Sequence, residues 1–158
     1  MNQSKHLANN LHQVYFGGNW TASNFKATLE NVSLEMATKK IGDLNTILVL
    51  TFHIHYYLKG TMDALKTGDL TIRDKFSFNH PELKTETEWQ EFQDNVWTEA
   101  KEFILLIKNL NDDLLNTNFI EEKYGTYYRN LAGIIEHTHY HLGQIAIIKK
   151  LMLSSLRA

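Results

Sequence analysis

Apolar residues recur every three to four positions in four long stretches of the chain, a spacing typical of amphipathic helices. The first stretch contains Leu7, Leu11, Val14 and Tyr15, and it stops at the glycine pair at 17–18. From residue 20 to residue 34 the apolar positions are closer and less regular, so only one or two short helical turns are predicted there.

A second long helix is predicted from Asp43, as its N-cap, to about Lys66. Gly68 follows the last periodic residue, where a left-handed residue commonly ends a helix. Apolar side chains surround almost the whole circumference of this helix, so it should be largely buried.

The third helix is predicted to begin at a capping box, in which Thr85 caps the helix and Glu88 returns a hydrogen bond. The fourth helix begins near Thr126, after Gly125, and runs to about Leu153. One apolar stripe follows the third helix and consists of Trp89, Phe92, Val96, Phe103, Leu106 and Leu110.

Four long helices in 158 residues predict an all-α protein with one domain, residues 1–158, folded as a four-helix bundle. The connections at 67–84 and 111–125 exceed the usual length of a bundle turn. We expect the first to cross the bundle or to cover one of its ends, and the second to be similar.

The amino-acid composition disfavours several classes of function. The chain has 16 basic and 18 acidic residues without a basic run, which disfavours nucleic-acid binding. It contains no cysteine, so any thiol chemistry needs a thiol from outside. There is no apolar signal core and no stretch of membrane-spanning length, which favours a soluble cytoplasmic protein with no membrane partner.

Three histidines lie within five residues of the fourth helix. His137 and His141 are four positions apart and share one helical face, whereas His139 points roughly the opposite way. Two imidazoles buried side by side are costly unless a partner satisfies both, and a metal ion does so. This pair alone supports a metal site and a structural role equally, but a histidine on another buried helix favours metal.

The second helix offers His53 and His55 for that role, and periodicity leaves the choice between them open. We interpret His6, His12 and His80 as ordinary histidines. A zinc peptidase helix needs a glutamate directly after its first histidine, but Thr138 occupies that position. Such a peptidase is disfavoured, although three histidines on a metal can still activate water.

Three segments carry a resemblance to a known family. They are Gly-Gly-Asn-Trp-Thr at 17–21 with Phe25 and Leu29, the histidine and aromatic run at 53–60, and residues 137–145. On these segments, and over nearly its whole length, the chain resembles the DinB-like superfamily. That superfamily consists of four-helix-bundle metalloenzymes and includes the YfiT-like proteins and bacterial thiol S-transferases.

The resemblance implies a divalent metal, zinc or nickel, bound by His53, His137 and His141. It thereby favours His53 over His55. It also implies a metal-dependent enzyme whose reactive group is a metal-bound water or thiol. A low-molecular-weight thiol such as bacillithiol, mycothiol or glutathione would be the cosubstrate of a small-molecule S-transfer reaction. Gln144 would orient a ligand or contact a bound molecule, with an interhelical hydrogen bond as the structural alternative.

Two other functions fit the same residues: a non-catalytic, stress-related protein that binds a metal and a small ligand, and a metal-assisted hydrolase. The resemblance further implies a homodimer. We expect the open end of the bundle to be rimmed by residues 76–80 and 119–128. Trp20, Trp89 and Trp97 are interpreted as core and groove aromatics, and His139 as a packing or interface residue.

Overall fold

The computed structural model describes residues 2–155, and most of these residues lie in helices. They form no β-strand, and a single isolated bridge joins Asn118 to Thr126. The all-α prediction is therefore confirmed. The α-helices of the described range are α1 (Gln3–Phe16), α2 (Phe25–Leu29), α3 (Leu34–Thr38), α4 (Ile47–Thr67), α5 (Glu86–Lys108), α6 (Asp112–Leu115) and α7 (Tyr127–Ser155).

The four long helices pack around one core. Helix α1 packs against α5 and α7, and α4 packs against the same two helices. Apolar residues of all four helices meet in a connected cluster because each presents its stripe inward. The largest fully buried side chains include Trp89, Tyr15, Phe25, Phe103 and Phe119. Each such side chain contributes about 1.5–3 kcal/mol to folding when it leaves water.

Most predicted helix ends agree with the structure. Gly17 ends α1 with a φ of 108°, and the Thr85–Glu88 capping box is fully formed. The prediction for Asp43 is wrong, because α4 begins at Ile47. Thr46 is the N-cap, and its hydroxyl accepts a hydrogen bond from Val49 N at 3.2 Å. Asp43 lies instead in a tight turn, closed by the bond from Leu44 N to Ile41 O.

The interpretation of Trp20 as a packed aromatic is also wrong, since its side chain is 99% exposed. Trp20 is at the corner of a turn in which Ala22 N donates to Asn19 O at 3.2 Å, and this turn directs the ring outward. Trp89 and Trp97 are buried, as expected.

The connection between α4 and α5 lies along α4. The Tyr56 hydroxyl bonds both backbone groups of Arg73, donating to the carbonyl at 2.9 Å and accepting from the amide at 3.0 Å. Gly60 permits this approach, because a Cβ at that position would be 2.3 Å from Ile72 Cγ2. The connection thereby covers one side of α4 and brings Ser77 against His53.

None of the described helices combines the length and the hydropathy that a membrane span requires.

Candidate metal centre

His53 of α4 meets His137 and His141 of α7. We call these three residues the histidine cluster. One ring nitrogen from each histidine lies within 4.8 Å of the other two. The ring centroids are 4.5 Å apart between His137 and His141, and 4.7–4.9 Å apart between either ring and His53. Packing of α4 against α7 therefore brings a third histidine, His53, next to the two histidines of α7.

Hydrogen bonds orient two of these rings. His53 Nδ1 donates to the carbonyl oxygen of Ser77 at 3.1 Å, and His141 Nδ1 donates to Gln144 Oε1 at 2.7 Å. Both acceptors are carbonyl oxygens, so the proton lies on Nδ1 and the lone pair on Nε2. Second hydrogen bonds of this kind are the usual way in which proteins orient metal-binding histidines.

His137 has an unpaired ring nitrogen and a lowered pKa, and both properties suit a metal ligand. Its Nδ1 is buried and has no hydrogen-bond partner among the described residues. Burial, followed by the neighbouring His141 and His53, lowers the pKa of His137 to about 4. Burial likewise lowers the pKa of His53. Both rings are therefore neutral at physiological pH, which leaves their lone pairs free for a cation.

The nitrogens of the histidine cluster lie near one another but are farther apart than on a bound ion. Zinc–nitrogen bonds are about 2.0–2.1 Å long, so the nitrogens of a tetrahedral zinc site are about 3.3–3.4 Å apart. The nitrogens of the histidine cluster lie within 4.8 Å of one another. Binding one ion would therefore draw the three nitrogens closer together. The donor set itself, three imidazoles of which His137 has an unpaired buried ring nitrogen, fits a three-histidine site.

Two aromatic side chains enclose the cluster. Phe78 stacks on His53, with 4.1 Å between ring centroids. The Tyr57 ring lies 5.1 Å from that of His53 and 5.0 Å from that of His137, and its hydroxyl donates to Asp74 Oδ1 at 3.0 Å. The sequence assigned neither residue a contact with the histidines. Tyr57 follows His53 by four positions, so helical spacing could have identified it, whereas Phe78 carries no such signal.

A cleft of about 1040 Å³ opens beside the cluster, and we call it the histidine cleft. His137 and Tyr57 line it, together with residues 69–74 and 119–124 of the two long connections. Residues 119–128 were expected to rim an open end of the bundle, and several residues of 119–124 line this cleft. Residues 76–80 were expected at the same rim, but Phe78 covers His53 instead.

The other histidines lie outside the cluster. His55 is buried, and its Nε2 is 2.9 Å from Glu99 Oε2. His139 is half-buried, and His6 and His12 are exposed. His80 contacts its own loop through Nδ1 and the Pro81 carbonyl at 2.8 Å.

Comparison with known proteins adds no relative. No protein-family model matches the chain. No curated protein and no solved structure matches it significantly.

Proposed function

We propose that this protein is a metal-dependent enzyme in which His53, His137 and His141 hold one divalent ion, zinc or nickel. The observation that carries the proposal is the convergence of three histidines, at least two of them neutral imidazoles with lowered pKa values, beside a large cleft that His137 lines. Structural zinc sites commonly have four protein ligands, whereas three protein ligands and an open position are typical of catalytic sites.

The protein side chains around the cluster have separate roles in this proposal. Ser77 and Gln144 hold the rings of His53 and His141 through Nδ1, so that Nε2 of each would be available to bind an ion. Phe78 shields His53 from water. Tyr57, fixed by Asp74, forms part of the cleft wall next to His137 and would contact a substrate there. The ion, when bound, would act as a Lewis acid that lowers the pKa of a thiol or water reaching it.

The reaction that we propose is transfer of a low-molecular-weight thiol to a small electrophile. The thiol sulfur forms a bond to the electrophilic carbon, the leaving group departs with its electron pair, and the thiol proton passes to solvent. The chain contains no cysteine, so the sulfur comes from a cosubstrate. The resemblance to the DinB-like superfamily supports this reaction, and we propose that the packed helices form a bundle of that type.

Metal-assisted hydrolysis is a second candidate, and one observation favours it. Glu136 lines the histidine cleft together with His137, so a carboxylate is available there as a general base for water. The first proposal needs an external thiol, whereas hydrolysis does not.

The test combines metal analysis with turnover. Protein purified without an affinity tag should contain about one divalent ion per chain, and His141→Ala should lose it while His139→Ala keeps it. The loaded protein is then assayed with glutathione, bacillithiol and mycothiol against a chloronitrobenzene, and with a nitrophenyl ester without thiol. Thiol-dependent turnover supports the transferase. Ester cleavage alone supports the hydrolase, and bound metal without either activity supports a binding protein.

A further inference from the structure

One segment of the connection between α4 and α5, residues 72–78, follows a single face of α4, and we call this segment the strap. The α4 residues that it contacts are His53, Tyr56, Tyr57 and Gly60. They occupy the i, i+3, i+4 and i+7 positions of one helical face. The strap begins at Gly60 and ends at His53, so it runs antiparallel to α4 and reaches one of the proposed metal ligands.

Asp74 joins the strap to the histidine cluster. Its carboxylate accepts the Tyr57 hydroxyl at 3.0 Å, and the Tyr57 ring packs edge-to-face against His53 and His137. The backbone carbonyl of Asp74 accepts twice from Ser77, from the amide at 3.0 Å and from the hydroxyl at 2.7 Å. The Ser77 carbonyl in turn accepts from His53 Nδ1. Asp74 thus supports two rings of the histidine cluster by two separate routes.

The strap is exposed over most of its length. Of the described residues 71–79, Ser77 alone is buried, and the side chains of Phe76 and Phe78 are 47% and 46% exposed. Segments with few buried contacts open more readily than packed helices do. Docking of the strap therefore depends on its hydrogen bonds to α4 and on the stacking of Phe78 on His53.

We infer that docking of the strap and binding of the ion are coupled, and that Asp74 is the positioning residue through which they are coupled. An ion held by His53 fixes the ring that the strap contacts, and the docked strap orients the same ring for the ion. Residues 69–74 also line the histidine cleft, so metal loading completes the wall against which a substrate binds. This inference rests on the metal site proposed above and adds a link between that site and the cleft wall.

Zinc affinity, measured by competition with a chromophoric chelator, tests the coupling. Asp74→Ala should weaken zinc binding about 10–100-fold, as loss of an outer partner of a ligand typically does. Asp74→Asn keeps an acceptor for the Tyr57 hydroxyl and should recover part of that loss. Asp69→Ala is the matched control and should bind zinc like wild type. It removes the same charge from the same cleft, and Asp69 hydrogen-bonds other described residues only through its backbone.

Tyr57→Phe removes the same hydrogen bond from its other side and keeps the ring beside the histidines. Its loss of zinc affinity should not add to that of Asp74→Ala, because both substitutions break one bond. A fully additive double variant would overturn the role of Asp74 as a positioning residue, since the carboxylate would then act independently of Tyr57.

Hydrogen exchange of wild type with and without zinc is a second measurement, which stays informative if a variant fails to fold. The Arg73 and Ser77 amides bond to the Tyr56 hydroxyl and to the Asp74 carbonyl. Zinc should slow the exchange of both amides by a factor comparable to the affinity lost in Asp74→Ala, because coupling is reciprocal. The Leu114 amide, in a turn outside the cleft, should not respond.

Two results would overturn the coupling and leave the metal site standing. They are a zinc-bound wild type whose strap amides exchange as fast as in the metal-free protein, and equal zinc affinities for Asp74→Ala and Asp69→Ala. A wild type that binds no zinc or nickel would overturn the metal site itself, and the coupling with it.

Discussion

At the scale of single residues, Gln144 determines how His141 is presented. The two are three positions apart on α7, and the bond between His141 Nδ1 and Gln144 Oε1 is 2.7 Å long. This contact lies within one helix, so the structural alternative of an interhelical bond does not apply. The Ser77 carbonyl orients the His53 ring in the same way, through its hydrogen bond with Nδ1.

We therefore expect Gln144→Ala to weaken zinc affinity about 10–100-fold, because the His141 ring loses its orienting partner. Competition with a chromophoric chelator measures this affinity directly. His139→Ala, on the same helix but outside the histidine cluster, should leave the affinity unchanged. Equal affinities for wild type and Gln144→Ala would show that the hydrogen bond has no role in metal binding.

At the scale of helices, Gly60 controls how closely the 68–85 connection approaches α4. Alanine normally stabilises a helix interior by about 0.5–1 kcal/mol relative to glycine. At Gly60 its Cβ would lie 2.3 Å from Ile72 Cγ2 and 2.7 Å from Cδ1, so the sign of the effect should reverse.

Gly60→Ala should lower the free energy of unfolding by about 1–3 kcal/mol, as overpacking typically does. Urea denaturation provides the measurement. Gly143→Ala is the matched control on α7, because a Cβ there meets no atom within 4 Å, and it should be neutral or stabilising. Adding Ile72→Ala to Gly60→Ala should recover part of the loss. If both glycine variants behave alike, the close approach at Ile72 is not a constraint.

The beginning of α1 depends on a carboxylate of α6. Asn2 provides no side-chain cap, and Asp112 instead accepts from Gln3 N at 2.7 Å and from Ser4 N at 2.9 Å. The bond from the Ser4 amide is the main reason that the pKa of Asp112 lies below its usual value. Carboxylates are stabilising at helix N-termini because the unpaired amide groups there carry partial positive charge.

A carboxyl group with a lowered folded-state pKa stabilises the protein above its unfolded-state pKa, about 3.9, and this contribution is lost as pH falls through the folded-state pKa. Asp112→Asn should therefore be less stable than wild type at pH 7, and the difference should shrink toward pH 3. Denaturation curves across that range measure the effect. Asp113→Asn, next along α6, is the control and should show a smaller difference. A gap that persists undiminished at low pH would contradict the role of the charged carboxylate.

At the scale of the whole molecule, a metal that binds only the folded state couples the site to global stability. A ligand at 100 times its Kd adds about 2.7 kcal/mol, which corresponds to about 5–10 °C in Tm for a chain of this size. Removing metal with a chelator should lower the Tm of wild type by that amount. His141→Ala should already melt at the lower temperature and should not respond. A wild-type Tm that is insensitive to chelation would contradict metal binding by the folded protein.

The resemblance also predicts a homodimer, and α7 has an exposed apolar face suited to one. Tyr140, Ile147 and Leu151 are 64%, 60% and 45% exposed, with Gly143 between them on the same face. Light scattering at micromolar concentration should give twice the chain mass, and Ile147→Lys should give the monomer mass because a lysine disfavours burial there. A monomer mass for wild type would remove the dimer prediction.

Short-range features of this fold could be predicted from the sequence alone. The spacing of apolar residues identified α1, α4, α5 and α7, since an amphipathic stripe follows from helical periodicity. The ends at Gly17 and at the Thr85–Glu88 capping box were also predictable, because those interactions join residues at most four positions apart. Helical spacing likewise placed His137 and His141 on one face.

Features that depend on distant residues were decided only by the tertiary structure. Periodicity left His53 and His55 equivalent, and the resemblance favoured His53. Packing of α4 against α7 then directs His53 toward the α7 histidines and leaves His55 beside Glu99. The close approach of Ile72 to Gly60 and the exposure of Trp20 follow equally from the path of the connections.

The helix caps show the physical reason. The amides at the start of α1 find their acceptor in Asp112, more than a hundred residues away. The start of α3 is bound by Glu86, and the carbonyls at the end of α2 accept from Lys149. Local sequence shows that such groups need partners, because unpaired backbone groups are costly. Which partner arrives depends on how the long helices pack, and that packing joins residues too far apart for any local pattern to specify.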